Sequence, residues 1–168
     1  APLDPTLDDD AMAATHALRE RFTGALLGLA AGDALAAATQ FRKPGSFTPV
    51  GDLLGGGPFE LPRGAWSDDT AMALCVADSL LERGEFDPVD QIERFIRWQR
   101  EGYLSATGQC VGITGGVTRA LGTAGWRRQR FPGSHDPAQL DPEVLTRVAP
   151  VVLHYFNEPG AAIERAAD

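Results

Sequence analysis

The sequence predicts an all-α domain, because its composition is that of a folded protein and its apolar residues recur at helical spacing. The chain has 168 residues, of which 43% are hydrophobic and 23% charged, so disorder is excluded as the main interpretation. A single domain of this length buries roughly 70% of the surface that its unfolded chain exposes, and we therefore expect a real core. No alternation of apolar and polar residues long enough for a strand stands out.

The charge balance argues against nucleic acid as a partner. Lys and Arg total 15 against 23 Asp and Glu, which gives a formal net charge of −8 at pH 7. Such a chain has no broad positive field to attract a phosphate backbone. A small anionic ligand is still compatible with this charge, because backbone amides, glycine-rich turns or metal ions hold such ligands locally.

Neither the apolar segments nor the cysteines indicate a membrane or an oxidising compartment. The longest apolar stretch, residues 24–38, is shorter than the roughly 20 residues of a membrane span and contains Asp33. The first residues resemble no signal peptide. Cys75 and Cys110 form neither a zinc motif nor a disulfide framework, and Cys75 is most simply a core residue. We therefore expect no membrane segment and a cytoplasmic location.

The first helix is predicted by acidic residues at 8–10 and by apolar residues at helical spacing after them, among them Leu18 and Phe22. Glycines recur in this helix at positions 24, 28 and 32, although each costs about 1 kcal/mol relative to Ala. We therefore expect something to approach that face closely. Either a second helix packs against it backbone to backbone, or the end of the helix lies beside a ligand.

The rest of the chain is predicted to alternate between helices and long loops. Capping residues, Pro in first turns and Gly after last turns define the helices. The predicted helices are 67–83, 87–102, a short one at 117–121, one from Pro142 that Pro150 bends or restarts, and 159–168. The predicted loops are 43–64, which is dense in Gly and Pro, and 131–141.

Ser67, Asp68 and Asp69 are the first candidates for chemistry, because three oxygen-bearing side chains stand together at a helix start. Acidic residues at such positions also stabilise the helix dipole, by about 0.3 to 1 kcal/mol, without any ligand. Two adjacent carboxylates repel each other, however, and a hard cation such as Mg²⁺ relieves that repulsion. The spacing alone leaves both interpretations open.

Two motifs, in this order, resemble those of a known family. Residues 28–35 read GLAAGDAL and residues 66–73 read WSDDTAMA, with a loop rich in Gly and Pro between them. This combination resembles the ADP-ribosylglycohydrolase family, to which dinitrogenase reductase-activating glycohydrolase belongs. The resemblance covers about residues 21–168 and includes GQCVGITGGV at 108–117 and RVAPV at 147–151.

The resemblance implies an orthogonal multi-helix domain that holds two Mg²⁺ or Mn²⁺ ions and hydrolyses the glycosidic bond between ADP-ribose and a modified side chain or small acceptor. The matching family residues ligate the metals, which implies that role for Ser67, Asp68 and Asp69. Metal ions can polarise a water while a carboxylate steers or deprotonates it, so catalytic roles are expected for Asp68 and Asp69. Asp33 is the next catalytic candidate, although capping a neighbouring helix explains it at least as well.

Four further residues are implied to contact the substrate. The glycine-rich turn that contains Gly112, Thr114 and Gly116 would lie along the diphosphate or ribose, where missing side chains let backbone amides approach phosphate oxygens. Ser134 lies in a Gly-Ser-His-Asp stretch that resembles a neighbouring loop of the family.

Three departures from the family pattern bear on activity. Gln40 stands where the family commonly has Glu, and an amide can hold a water but cannot accept its proton. Residues 142–144, Pro-Glu-Val, replace a ligand-contacting Asn-Gly turn. The second acidic motif of the family, Asp-x-Asp-Thr, has no counterpart, so only half of the metal ligands are present. We therefore predict a partial domain at 21–168, truncated at its C-terminus, with an N-terminal extension and the start of the first helix at 1–20.

The sequence thus favours a metal-dependent ADP-ribosyl hydrolase whose partner is ADP-ribose or an ADP-ribosylated protein or small molecule. A second hypothesis, favoured by Gln40 and the missing motif, is a non-catalytic ADP-ribose-binding or regulatory homologue, or an inactive fragment. A third is a plain helical interaction domain in which the Asp pair only caps a helix. We expect a monomer if the domain is complete.

Overall fold

The computed structural model describes residues 9–127, 129–134, 136, 138 and 142–168. These residues are mainly helical and contain no β-strand, only an isolated antiparallel bridge between Gly56 and Leu61. The α-helices are α1 (Asp9–Ala36), α2 (Asp68–Arg83), α3 (Pro88–Glu101), α4 (Gly115–Arg127), α5 (Ala149–His154) and α6 (Pro159–Ala167). Short 3₁₀ helices lie at Ala37–Thr39, Gly57–Phe59 and Pro142–Arg147. The all-α prediction is confirmed.

The main core forms around α2, which packs against α3, α5 and the 3₁₀ helix that precedes α5. Four helices contribute its buried apolar side chains, which are Ala71, Met72, Cys75, Val76, Leu80, Phe95, Trp98, Val117, Leu121 and Val151. Cys75 is fully buried, and burial raises the pKa of its thiol to about 12. Cys75 is therefore the core residue that the sequence predicts.

Local signals place the ends of α2 and α3 where the sequence predicts them. Asp87 caps α3 by accepting hydrogen bonds from two first-turn amides, and Pro88 occupies the first helical position. Each helix ends at a glycine in the left-handed conformation, Gly84 after α2 (φ 72°) and Gly102 after α3 (φ 69°). Each of these glycines donates its amide to a carbonyl of the last turn, which stops the helix there.

The predicted loop at 43–64 is confirmed, apart from the 3₁₀ turn Gly57–Phe59. The loop folds back on the end of α1 and forms a second, smaller core, made of Ala37, Leu61 and Ala65 with Phe59 and Val111. At Gly57, φ is +70° and a Cβ would collide with the carbonyl oxygen of Ala37, so only glycine fits this contact. The fold thereby returns the chain to the end of α1 just before α2 begins.

The C-terminal part departs from the prediction in two elements. Helix α4 extends over Gly115–Arg127 rather than 117–121, because apolar side chains continue one buried stripe as far as Ala124 despite the glycines between them. The segment from Pro142 is a 3₁₀ helix instead of an α-helix. Of the predicted loop at 131–141, residues 135, 137 and 139–141 lie outside the described residues. The last predicted helix is confirmed as α6.

The glycine-rich face of α1 differs from its prediction. Among the described residues, no atom lies within 4 Å of the position that a Cβ would take at Gly24, Gly28 or Gly32. Leu27 on the same helix is 65% exposed. The predicted packing of a helix against this face is therefore wrong for the part of the chain that the structure describes. The alternative, a ligand beside the end of α1, stays a prediction.

The same helix also has a membrane-like composition. A window within Ala11–Thr39 has a mean hydropathy of 1.4, the segment is long enough to cross a bilayer, and only 11% of that window is buried. Core helices and signal sequences share these properties, so length and composition are weak evidence for a membrane span. The expected absence of a membrane segment therefore stays a prediction.

Candidate functional site

The carboxylate of Asp33 joins the end of α1 to the first turn of α2. Its Oδ1 accepts a hydrogen bond of 2.6 Å from the Ser67 hydroxyl. Its Oδ2 accepts three more, of 3.0 Å from the Ser67 amide, 3.0 Å from the Thr70 amide and 2.7 Å from the Thr70 hydroxyl. The two motifs that carry the family resemblance therefore meet at one side chain.

Asp33 caps α2 in place of the helix's own N-cap residue. Ser67 stands at the N-cap position, but its side chain makes no capping hydrogen bond. The Thr70 amide, which an N-cap serine ordinarily satisfies, donates to Asp33 instead. These contacts are those of the capping interpretation. The catalytic role predicted for Asp33 has no contact in its support among the described residues.

Asp68 and Asp69 lie in the first turn of α2, where the helix dipole favours negative charge, yet the pKa of each is raised. Asp68 is only 8% exposed; burial, with the charge of Asp69 as a second cause, raises its pKa to about 6. Burial also raises the pKa of Asp69, and it outweighs the hydrogen bond from Thr146 and the charge of Arg147, which lower it. The site thus holds more negative charge than its surroundings compensate.

A glycine brings the loop before α4 against this pair of acids. Gly112 has a φ of +85°, and a Cβ there would collide with Oδ1 of Asp68. Only glycine combines that backbone conformation with so close an approach. The contact of Gly112 with a diphosphate or ribose stays a prediction, and the structure adds that this residue lets the loop pack directly against a predicted metal ligand.

Thr114 and Gly116 lie at the start of α4. The Thr114 hydroxyl accepts a hydrogen bond of 3.3 Å from the Val117 amide and donates one of 2.7 Å to Oε1 of Glu143. The hydroxyl therefore acts as a helix cap and is engaged within the chain. The substrate contacts expected of both residues stay predictions.

Three residues of the 3₁₀ helix before α5 reach this site, although the sequence assigns them no role. Glu143 receives the hydrogen bond from Thr114, and its carbonyl oxygen accepts another, of 2.7 Å, from the Thr146 hydroxyl. Thr146 and Arg147 act on the pKa of Asp69. The sequence signals this segment only through comparison with the family, by the match of Arg147 and the departure at residues 142–144, because most of its contacts are with residues far away along the chain.

A cavity of about 420 Å³ shares Arg147 with this part of the molecule but is not lined by Ser67, Asp68 or Asp69. Its walls include Met72 of α2 and Phe95 of α3, together with Arg147, whose charge acts on Asp69. Ser134, predicted to contact the substrate, also lines this cavity. Its volume suits a small organic ligand.

The structure does not bring Gln40 into this network. Gln40 follows the 3₁₀ helix at the end of α1 and is half-buried. Within the described ranges, no hydrogen bond joins it to Asp33, Ser67, Asp68 or Asp69. Its predicted part in holding a water molecule stays a prediction.

The oxygen atoms of Ser67, Asp68 and Asp69 suit a hard cation such as Mg²⁺ or Mn²⁺ in their chemistry. The raised pKa values of both acids agree with such a site, because a bound cation favours the charged form of a carboxyl group. In the part of the chain that the structure describes, no group of three or more His, Cys, Asp or Glu is arranged to hold a metal ion. The residues therefore fit the metal in kind but supply only part of its coordination.

Known proteins resemble this chain in sequence. The profile of the ADP-ribosylglycohydrolase family matches residues 14–168. The chain is 40% identical over 136 residues to ADP-ribosylarginine hydrolase Tri1 of Pseudomonas putida (strain GB-1), an alignment that covers 80% of the chain and 36% of that relative. It is 34% identical over 97 residues to ADP-ribosyl-[dinitrogen reductase] glycohydrolase of Rhodospirillum rubrum, which covers 55% of the chain and 33% of that relative.

A solved structure described as an ADP-ribosylglycohydrolase-related protein complex shares the fold. It aligns with a TM-score of 0.74 and 43% identity, over 89% of the chain and 48% of that structure. The chain thus spans about a third of the length of these curated relatives and about half of that structure. Since the family profile matches most of the chain, and the fold and both motifs agree with it, the chain belongs to the ADP-ribosylglycohydrolase family.

Proposed function

We propose that this chain is part of a divalent-metal-dependent hydrolase that releases ADP-ribose from ADP-ribosylated arginine in a protein. The observation that carries the proposal is the cluster of Ser67, Asp68 and Asp69 at the start of α2, with the carboxylate of Asp33 against it. The names of the relatives support the substrate class, since one is called an ADP-ribosylarginine hydrolase and another acts on ADP-ribosylated dinitrogen reductase.

In this proposal Ser67, Asp68 and Asp69 hold Mg²⁺ or Mn²⁺, whose bound form polarises a water and the ribose hydroxyls. The carboxylates orient that water towards the anomeric carbon. Arg147, whose charge acts on Asp69, offers a cation to a phosphate group of the substrate. These three residues supply part of the coordination and do not complete it.

The side chain of Gln40 cannot serve as the catalytic base in this proposal. An amide donates and accepts hydrogen bonds but cannot take up a proton from water at neutral pH. Gln40 therefore positions water at most, and the base is a carboxylate.

The test is release of ADP-ribose from an arginine-modified protein by the full-length gene product that carries this chain, in the presence of Mn²⁺. Asp68→Asn and Asp69→Asn should each abolish release. The matched control is Asp52→Asn, because Asp52 is an exposed acid that pairs with Arg63 on the loop after α1. Release that survives both substitutions, or that Asp52→Asn removes equally, would contradict the proposal.

A second candidate function is a non-catalytic module that binds ADP-ribose. The specific observation in its favour is Gln40, which stands where a proton acceptor is common in the family. Calorimetry with ADP-ribose and Mn²⁺, run beside the release assay, separates the two functions. Binding heat without any release would favour the module, whereas release would exclude it.

A further inference from the structure

We propose that Asp33 is a positioning residue that turns the Ser67 hydroxyl so that its oxygen lone pairs face a metal ion. This inference rests on the proposed function and deepens it, because it assigns Asp33 a task in metal binding without direct contact. It replaces the catalytic role that the sequence suggests for this side chain.

The first argument is the count of protons on the Ser67 hydroxyl. A hydroxyl has one proton and two lone pairs, and only the lone pairs bind a cation. The Ser67 side chain also acts on the pKa of Asp68, but the contact of 2.6 Å with Oδ1 of Asp33 is the hydrogen bond that the geometry supports, and it takes up that proton. The proton is therefore directed away from any cation, and the oxygen can act only as an acceptor or ligand on its other side.

The second argument is the exchange of capping partners at the start of α2. The side-chain oxygen of a serine at the N-cap ordinarily accepts a hydrogen bond from the amide two or three residues later. Here Oδ2 of Asp33 accepts the hydrogen bond from the Thr70 amide, at 3.0 Å, and Ser67 makes no such bond. The helix is capped from α1, so the lone pairs of Ser67 are not needed for capping.

The third argument is that hydrogen bonds from α2 and the residue before it hold the Asp33 carboxylate in one orientation. Its Oδ2 accepts hydrogen bonds from two amides and one hydroxyl of Ser67 and Thr70. The same contacts fix the backbone on either side of Asp68 and Asp69. A carboxylate held in this way orients ligands, as outer partners of metal sites generally do.

The test uses Asp33→Asn, which keeps the size of the side chain. Its nitrogen cannot take the position of Oδ2, because two backbone N–H groups point there. The nitrogen therefore faces Ser67 Oγ and donates to it, which occupies a lone pair. We expect the affinity of the full-length protein for Mn²⁺, measured by calorimetry and by the electron paramagnetic resonance signal of free Mn²⁺, to fall about 10- to 100-fold.

The matched control is Thr70→Val, which removes one hydrogen bond to the same carboxylate and leaves Ser67 untouched. If Asp33 only anchored α2, both variants would lower the melting temperature and neither would change Mn²⁺ affinity in the folded protein. We expect Thr70→Val to change that affinity by less than about threefold, because its effect is on helix anchoring.

A double-mutant cycle with Ser67→Ala decides whether Asp33 acts through Ser67. Ser67→Ala should weaken Mn²⁺ binding, and adding Asp33→Asn to it should weaken binding no further. Additive losses, or wild-type affinity in Asp33→Asn, would overturn the inference. If Asp33→Asn fails to fold, Asp33→Glu replaces it: because it keeps a carboxylate to accept the Ser67 proton, it should hold Mn²⁺ within about threefold of the wild type, and a loss as large as that of Ser67→Ala would overturn the inference.

Mn²⁺ binding by the wild-type protein distinguishes a failure of this inference from a failure of the proposed function. A wild-type protein that binds no Mn²⁺ contradicts both the proposed function and the role of Asp33. A wild-type protein that binds Mn²⁺ and loses it in Asp68→Asn, but not in Asp33→Asn, contradicts the positioning role alone.

Discussion

The two ends of α2 hold two carboxylate clusters with opposite electrostatics. Towards its C-terminal end, Asp78 and Glu82 meet Asp90 of α3 around Arg94, which is only 5% exposed. There burial alone would raise the pKa of Asp90, but hydrogen bonds from Arg94 and Arg83 outweigh it and hold the pKa at about 2. At the N-terminal end the pKa of the similarly buried Asp68 is instead raised to about 6.

The difference teaches that burial does not by itself decide what a carboxylate does. Asp90 is balanced by arginines of its own chain, so its cluster serves stability. The charge of Arg147 partly offsets that of Asp69, yet burial prevails and the pKa of both Asp68 and Asp69 stays raised. An acid pair of that kind gains most from an added cation, which favours the N-terminal end of α2 as the functional one under the proposed activity.

The largest expected effect is the loss of the internal cation. Arg94→Met should destabilise the protein by about 3 kcal/mol, because it leaves the buried Asp90 with only the half-exposed Arg83 as a cationic partner. Denaturant unfolding measures this loss. Arg100→Met, an exposed position on the same helix, is the control and should cost less than about 1 kcal/mol. Equal losses in the two variants would show that the cluster around Arg94 contributes no more than a surface charge.

The next effect concerns the approach of Gly112 to Asp68. Gly112→Ala should cost about 2 to 4 kcal/mol, since it adds a collision to the strain of a positive φ. Gly108→Ala is the matched control, because Gly108 has a similar φ of +74° with no atom within 4 Å of its Cβ position in the described residues. It should lose only about 1 to 2 kcal/mol. Unfolding midpoints that do not differ would contradict the close approach.

Neutralising one acid at each end should change stability in opposite directions. Without metal at pH 7.5, Asp68→Asn should stabilise the protein by on the order of 2 kcal/mol, because it removes an ionised group that burial disfavours. Asp90→Asn should destabilise it by about 2 kcal/mol, because charged hydrogen bonds are lost. Denaturant unfolding of both variants measures the change in the free energy of unfolding. A change in the same direction for both would contradict the electrostatic difference between the two ends of α2.

The smallest effect is the pH dependence of these differences. The pKa of Asp68 is about 6 when folded and 3.8 ordinarily, so its penalty is complete above pH 6 and disappears as the pH falls to about 4. The pKa of Asp90 is about 2 when folded, so its stabilisation is complete above pH 4 and is lost as the pH falls towards 2.

Denaturant melts of the wild type and both Asn variants at pH 7.5, 5 and 3 measure this dependence. The advantage of Asp68→Asn over the wild type should shrink from pH 7.5 to 5. The deficit of Asp90→Asn should persist at pH 5 and shrink only near pH 3. An Asp68→Asn advantage that is unchanged at pH 5 would contradict the raised pKa.

Elements with local signals are those that the sequence predicts well. The limits of α2 and α3 follow from Asp87, Pro88, Gly84 and Gly102, because caps act within one helical turn. The length of α4 is underestimated, since its glycines weigh against a helix locally while packing of its buried stripe favours one. For the glycines of α1 the prediction errs the other way: they would allow another helix to pack closely against that face, but the structure places none there among the residues that it describes.

The candidate site divides in the same way. Ser67, Asp68 and Asp69 are adjacent in sequence, so their meeting at a helix start is predictable. Asp33 contacts Ser67 and Thr70 across the whole loop that separates α1 from α2, so no local pattern predicts these contacts. The sequence is therefore compatible with both a catalytic and a capping role for Asp33. The contact of Glu143 with Thr114 has no local signal, and only the comparison of residues 142–144 with a ligand-contacting turn of the family points to this region.

By itself, the sequence determined the helical class of this protein, the ends of its best-capped helices and the family to which its motifs point, because each of these depends on neighbouring residues. Only the tertiary structure decided that Asp33 caps α2, that Gly112 lies against Asp68 and that Arg94 balances three carboxylates. Those contacts arise when distant segments pack together. Burial then raises the pKa of an acid unless a neighbouring cation lowers it again.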